Sequence, residues 1–170
     1  EHHVIPGGYS GSDLSTAYDT GGLLGGGAGI TVATAQFDGW FPSDATTYAN
    51  ATGIPLGANQ ITTVQMPGSN TLPDGTGGDQ ETALDVEALL ATAPKAAQRI
   101  YVASNDAAGA IAVYSPIAAD VAARRVQVVS TSWGACAARS SATFLQPLGK
   151  SLDCLVARVG AMFAACRSAE

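Results

Sequence analysis

Lysine is almost missing from this chain, with only Lys95 and Lys150 in 170 residues. Eight cationic side chains face 14 acidic ones, and the formal charge of −6 offers no attractive field to nucleic acid or to an anionic membrane surface. Few cations also mean little self-repulsion once carboxylates protonate, so the composition suits a protein that works in acid. Long apolar runs are lacking too. CLVARVGAMFAAC (154–166) is interrupted by Arg158 and is too short to span a bilayer. The first residues, EHHVIPGGYSG, have neither a basic n-region nor an apolar h-region and do not read as a signal peptide. There is no G-x-S-x-G elbow, and the two histidines, His2 and His3, sit at the very start, so a Ser-His-Asp triad has no parts to draw on. Cys136, Cys154 and Cys166 show no C-x-x-C spacing for a metal. One disulfide with a leftover thiol, or a bond to a partner chain, both remain open.

What is present is a core. Hydrophobic residues make up 46%, enough for one domain, and 20 glycines punctuate it. Residues 1–29 read as an irregular lead-in arm with a short helix at 11–18. Short, β-branched strands are expected at 29–37, 61–67, 99–104 and 126–133, with the start of a fifth at 160–165. Helices are expected at 42–53, 81–92, 107–123 (kinked at Pro116) and 144–160, and the turn-rich run 68–80 reads as a surface loop. Alternating strands and helices of this kind predict an α/β fold, a mainly parallel sheet covered on both faces. A last strand beginning where the sequence stops makes that sheet incomplete in this chain alone. The cluster GGLLGGGAG precedes its strand, whereas a dinucleotide or phosphate loop follows one, so a nucleotide cofactor is not expected.

Within GDQETALDVEALLA (78–91), Glu81 and Asp85 are four apart. On a helix their Cβ atoms would be about 5–6 Å apart on one face. Two acids in a first turn are well accounted for by the helix dipole and water. If the face is instead buried, the two carboxyls would share a proton and could serve as a general base in acid. Spacing alone favours the solvated turn.

The wider context changes that balance. GGDQETALDVEALLATAPKA followed by RIYVAS resembles the E-x-x-x-D-I-E segment, helix and strand of the sedolisin family of serine-carboxyl peptidases. VQVVSTSWGAC (126–136) resembles the family's V-I-S-I-S-W-G stretch, and GAGITVATAQFDGW (27–40) resembles its first core strand. The resemblance implies a subtilisin-like fold and an endopeptidase acting in acid. It makes Glu81 the base that takes a proton from a nucleophilic serine, with Asp85 holding Glu81 and sharing its proton. Ser132, Trp133 and Gly134 would line the cleft and bind an extended polypeptide substrate as an added strand. Ser130 and Ser132 are not expected to be nucleophiles, because no base is placed for them in their strand.

Departures from the family pattern are equally specific. Its nucleophile lies in an S-G-T-S segment, which does not occur here. Its oxyanion-hole aspartate lies in A-x-G-D-S-G, and counting on from Trp133 leads to Ser168, beside Arg167 in AACRSAE. Gln36 stands where some members have a further glutamate, and Ala137 lies close to a position that is often acidic. The expectation is therefore that residues 1–170 are the amino-terminal portion of one peptidase catalytic domain. A complementary carboxy-terminal chain would supply the serine and the calcium site the family implies, with no metal ligands in this chain and a secreted location. The alternative is a catalytically inactive sedolisin-like peptide-binding module. An unrelated flavodoxin-like binding domain is the weakest reading.

Overall fold

In the computed structural model, residues 9–20, 25–134, 142–143, 146–150 and 153 are described. Among the described residues four strands form one parallel sheet: β1 (Thr31–Gln36), β2 (Ile61–Gln65), β3 (Ala97–Val102) and β4 (Val128–Ser130), in the order β2-β3-β1-β4. The helices are α1 (Gly11–Ala17), α2 (Pro42–Thr52), α3 (Gly78–Thr92), α4 (Ala107–Ala112) and α5 (Tyr114–Ala122). None of the helices among the described residues is long and apolar enough to cross a membrane.

The period of two along the central strands decides which face each residue serves. Ala33, Ala35 and Phe37 of the β1 segment join Tyr101, Val113, Tyr114 and Ile117 in a core under α4 and α5. On the other face, Ile100 and Val102 of β3 pack with Val86 and Leu90 of α3, Ala45 of α2 and Trp40. Small residues at Ala33 and Ala35, fully buried, let α5 approach the sheet closely. The intervening residues Thr34 and Gln36, equally buried, lie on the β1 positions that alternate with them; Gln36 reaches α3. Polar residues thus enter the interior on the side where the acids of α3 lie.

Several element bounds differ from the sequence-based expectation. α3 starts at Gly78, three residues early, after Gly77 in the left-handed region (φ 92°). The kink expected at Pro116 falls instead at Val113, where α4 ends and α5 begins. Proline then occupies the first turn of α5, where its missing N–H breaks no helical bond. β3 begins and ends two residues early, and β4 keeps only three of the eight expected residues because it pairs with β1 over three positions alone. The turn-rich run is a largely exposed loop up to Gly77, as expected, and it is fastened to the end of β1: Trp40 N donates to Thr71 O at 3.1 Å, and a Cβ on Gly39 would lie 2.2 Å from the Leu72 carbonyl oxygen. The segment around 71–74 is laid against the end of β1, and that contact sets where α3 begins.

Residues 146–150 are helical, within the expected 144–160 helix. The rest of that helix beyond 153, the expected strand at 160–165, Ala137 and the three cysteines lie outside the described residues.

Candidate active site

The site forms where the end of β1, the start of α3 and the segment after β4 meet. Gln36 lies at the C-terminal end of β1, fully buried, and its amide joins three elements. Its Oε1 accepts from Trp133 Nε1 at 2.7 Å and from Thr82 Oγ1 at 3.3 Å. An indole N–H can only donate, so it fixes which end of the amide is oxygen. Nε2 must then face Asp85, and it donates to Asp85 Oδ2 at 2.7 Å. The other oxygen, Asp85 Oδ1, accepts from Ser132 Oγ at 2.7 Å. Both carboxylate oxygens are engaged, and the chain from Trp133 through Gln36 to Asp85 has one permitted polarity.

Glu81, one turn before Asp85, borders an open cleft together with Thr76, Gly77, Gly78, Ser132, Trp133 and Gly134. The structure therefore brings together all five residues singled out in the sequence. It does not join them as the resemblance implies. Glu81 has no hydrogen-bond partner among the described residues, and the partners of Asp85 are Gln36 and Ser132 rather than Glu81. One expectation from the sequence is corrected: Ser132 lies beyond the end of β4 rather than within it, and a carboxylate does lie against its hydroxyl. That contact joins residues 47 apart in sequence, and spacing along one strand could not reveal it.

The third acid of the E-x-x-x-D-x-E segment faces elsewhere. Burial and the nearby Asp44 charge on α2 push the Glu87 carboxyl up, and Tyr48 of α2 senses Glu87 in turn. Two residues after Asp85 is about 200° around a helix, which removes Glu87 from the cleft. Asp38 was missed in the sequence. It is buried, its Oδ1 accepts from the N–H groups of Gly39 (2.7 Å) and Asp74 (3.1 Å), and it pins the loop that leads to α3. A polar residue at an even position of the β1 segment was the available signal.

Gly78 is where these parts touch. A Cβ there would lie 2.8 Å from Asp38 Cβ and 3.0 Å from the Trp133 ring, so only glycine admits α3 this close to the end of β1. Among the described residues no three His, Cys, Asp or Glu side chains converge as a metal site. The calcium implied by the resemblance has no ligand set there and enters no step below.

Comparison with solved structures brings up Pseudomonas sedolisin, a serine-carboxyl proteinase, in complex with two molecules of pseudo-iodotyrostatin. The match has a TM-score of 0.69 at 21% sequence identity and covers 89% of this chain. The fold is sedolisin-like. The chain spans 42% of that neighbour's length. No family model and no curated protein sequence matches the chain. The sedolisin-like fold is subtilisin-like in class, an α/β parallel sheet with helices on both faces.

Proposed function

We propose that this chain carries the base half of an acid-acting serine-carboxyl endopeptidase. The observation that carries the reading is the cleft itself: Glu81, with no competing hydrogen bond among the described residues, opens onto the same space as Ser132, Trp133 and Gly134. A carboxylate left free at a cleft wall can accept a proton from an incoming hydroxyl. The serine comes from the complementary part of the catalytic domain. Its Oγ attacks the peptide carbonyl carbon as its proton passes to Glu81, and Glu81 then returns the proton to the departing amine. Water then attacks the acyl-serine carbonyl carbon as it loses a proton to Glu81, and Glu81 passes that proton to the departing serine Oγ, which frees the acid and restores both groups. Asp85, one helical turn beyond Glu81, is the second acid of the site and is held in one position by Gln36 and Ser132. The substrate backbone lies along the 132–134 segment as an added strand.

On this account the serine, the oxyanion aspartate and any calcium belong to a complementary chain, and the protein acts outside the cell. Intact-mass analysis of native material tests the arrangement. A co-purifying chain with an S-G-T-S segment is expected, and a single active 17.0 kDa species would remove the two-chain reading. The second reading, an inactive peptide-binding module, is favoured by neutral Gln36 in the polar cluster, where an acid network would carry another carboxyl. Peptide binding by native material that shows no cleavage at any acid pH would establish it.

A further inference from the structure

Thr34 is a polar residue in the middle of β1 and is only 1% exposed. Its Oγ1 is buried and has no hydrogen-bond partner among the described residues. A hydroxyl in that position costs free energy unless something else satisfies it. Its place in the strand narrows what that can be. Thr34 alternates with Ala33 and Ala35, so it faces α3, and its register partner on β4 is Ser130.

Across from these two, Asp85, Ala88, Leu89 and Thr92 stand at i, i+3, i+4 and i+7 of α3, a single stripe of the helix. The six residues border a depression of about 150 Å³, several times the roughly 30 Å³ that one water occupies in the liquid. Ala88, the small residue of the stripe, leaves the room. The Thr92 hydroxyl is already committed, donating to the Ala88 carbonyl at 2.8 Å. Asp85 has capacity to spare. Each of its oxygens takes one bond, from Gln36 and from Ser132, whereas a carboxylate can accept about four. The unpaired hydroxyl and the carboxylate border the same space, yet no direct hydrogen bond joins them.

We propose that a water seated in this depression bridges Thr34 Oγ1 to Asp85, which makes Thr34 a positioning residue for the second acid of the site. The inference rests on the peptidase reading above for what Asp85 does, and on the residues of the depression for the bridge. Thr34 Oγ1 donates to the water, the water donates to Asp85, and Ser130 Oγ accepts its second proton. That gives the water the three partners usual for an ordered internal one. Asp85 is then held from three sides: by Gln36 at the end of β1, by Ser132 after β4, and by Thr34 from the middle of the sheet. Fixing Asp85 fixes the turn of α3 that carries Glu81.

Thr34→Val is nearly isosteric and removes only the hydroxyl, so the sign of its effect on urea unfolding of the full-length protein is informative. A dry, unpaired hydroxyl would make the variant more stable, and a bridged one makes it less stable. A lower urea midpoint is expected; an unchanged or higher one overturns the inference. The link to Asp85 is tested by repeating Thr34→Val in an Asp85→Ala background, where the fall should shrink. That background folds, because Asp85 is half-buried and Ala is the best helix former. Equal falls in both backgrounds overturn the bridge. In acid, kcat should drop about threefold to tenfold in Thr34→Val with KM little changed. Thr34→Ser, which keeps the hydroxyl, should stay near wild type. An unchanged kcat in Thr34→Val overturns the positioning role. If wild type cleaves nothing, the peptidase reading fails, and the two unfolding comparisons alone uphold or overturn the bridge.

Discussion

Gln36 donates its amide N–H to Asp85 at 2.7 Å while its own carbonyl is held by Trp133. A neutral side chain thus delivers a proton donor to a carboxylate at every pH. Gln36→Glu replaces that constant donor by a carboxyl that donates only when protonated, beside another carboxylate. The expected result is activity at low pH that is lost at lower pH than in wild type as the solution is made more alkaline, read from a pH–rate profile. Gln36→Leu leaves half-buried Trp133 Nε1 and one Asp85 oxygen without their partner, at roughly 1–3 kcal/mol of stability. Urea unfolding measures that loss.

Ser132 gives the second prediction. Its hydroxyl is exposed and bonded to Asp85, so Ser132→Ala removes one net hydrogen bond of about 1 kcal/mol and little packing. Cleavage should slow but persist if, as proposed, the nucleophile is a serine outside this chain. Complete loss of activity with an intact fold would make Ser132 the nucleophile.

The third concerns the opposite face of the sheet, where Asp120 receives Tyr101 Oη, Arg125 Nε at 2.9 Å and Arg99 Nη2 at 2.9 Å. Burial opposes its charge, but the hydrogen bonds from Tyr101 and Arg125 and the two guanidinium charges outweigh that and hold its carboxyl low. A carboxyl whose folded pKa lies below its unfolded value, near 3.9, stabilises fully above that value. The contribution disappears as pH falls through the folded value. Asp120→Asn should therefore lose roughly 1.5–3 kcal/mol at neutral pH. Denaturant unfolding should show the gap from wild type narrowing only below about pH 4. A gap that widens in acid contradicts the assignment.

Gly78 supplies a fourth. A methyl group there meets Asp38 and Trp133 at 3.0 Å or less, so Gly78→Ala must shift the start of α3 and Glu81 with it. The expected cost is about 1–3 kcal/mol in stability, with a fall in kcat larger than the change in KM. Wild-type kinetics in this variant would show that the contact does not position Glu81.

The strands and the covered parallel sheet were legible because apolar, β-branched runs and period-two burial act locally. Ala33, Ala35 and Phe37 facing one way, with Thr34 and Gln36 on the alternating positions, follow from the pleat alone. Boundaries set by distant contacts were not legible. α3 starts early because the 71–74 segment is fastened to Asp38 and Trp40, and those bonds cross more than 30 positions. At the site, the spacing of Glu81 and Asp85 put both on one helix face, but which partners Asp85 takes depends on Gln36 arriving from β1 and Ser132 from the segment after β4. Motif order brought these residues together, and the direction of each hydrogen bond needed the fold.

Cleavage by the full-length protein in acid, compared between wild type and Glu81→Gln, bears most directly on the central claim. Gln is nearly isosteric with Glu and Glu81 has no hydrogen bond among the described residues to lose, so stability should be unchanged while the proton acceptor is gone. The account predicts cleavage of a denatured protein substrate by wild type and none by the variant, with matching unfolding curves. Equal cleavage by both would contradict it.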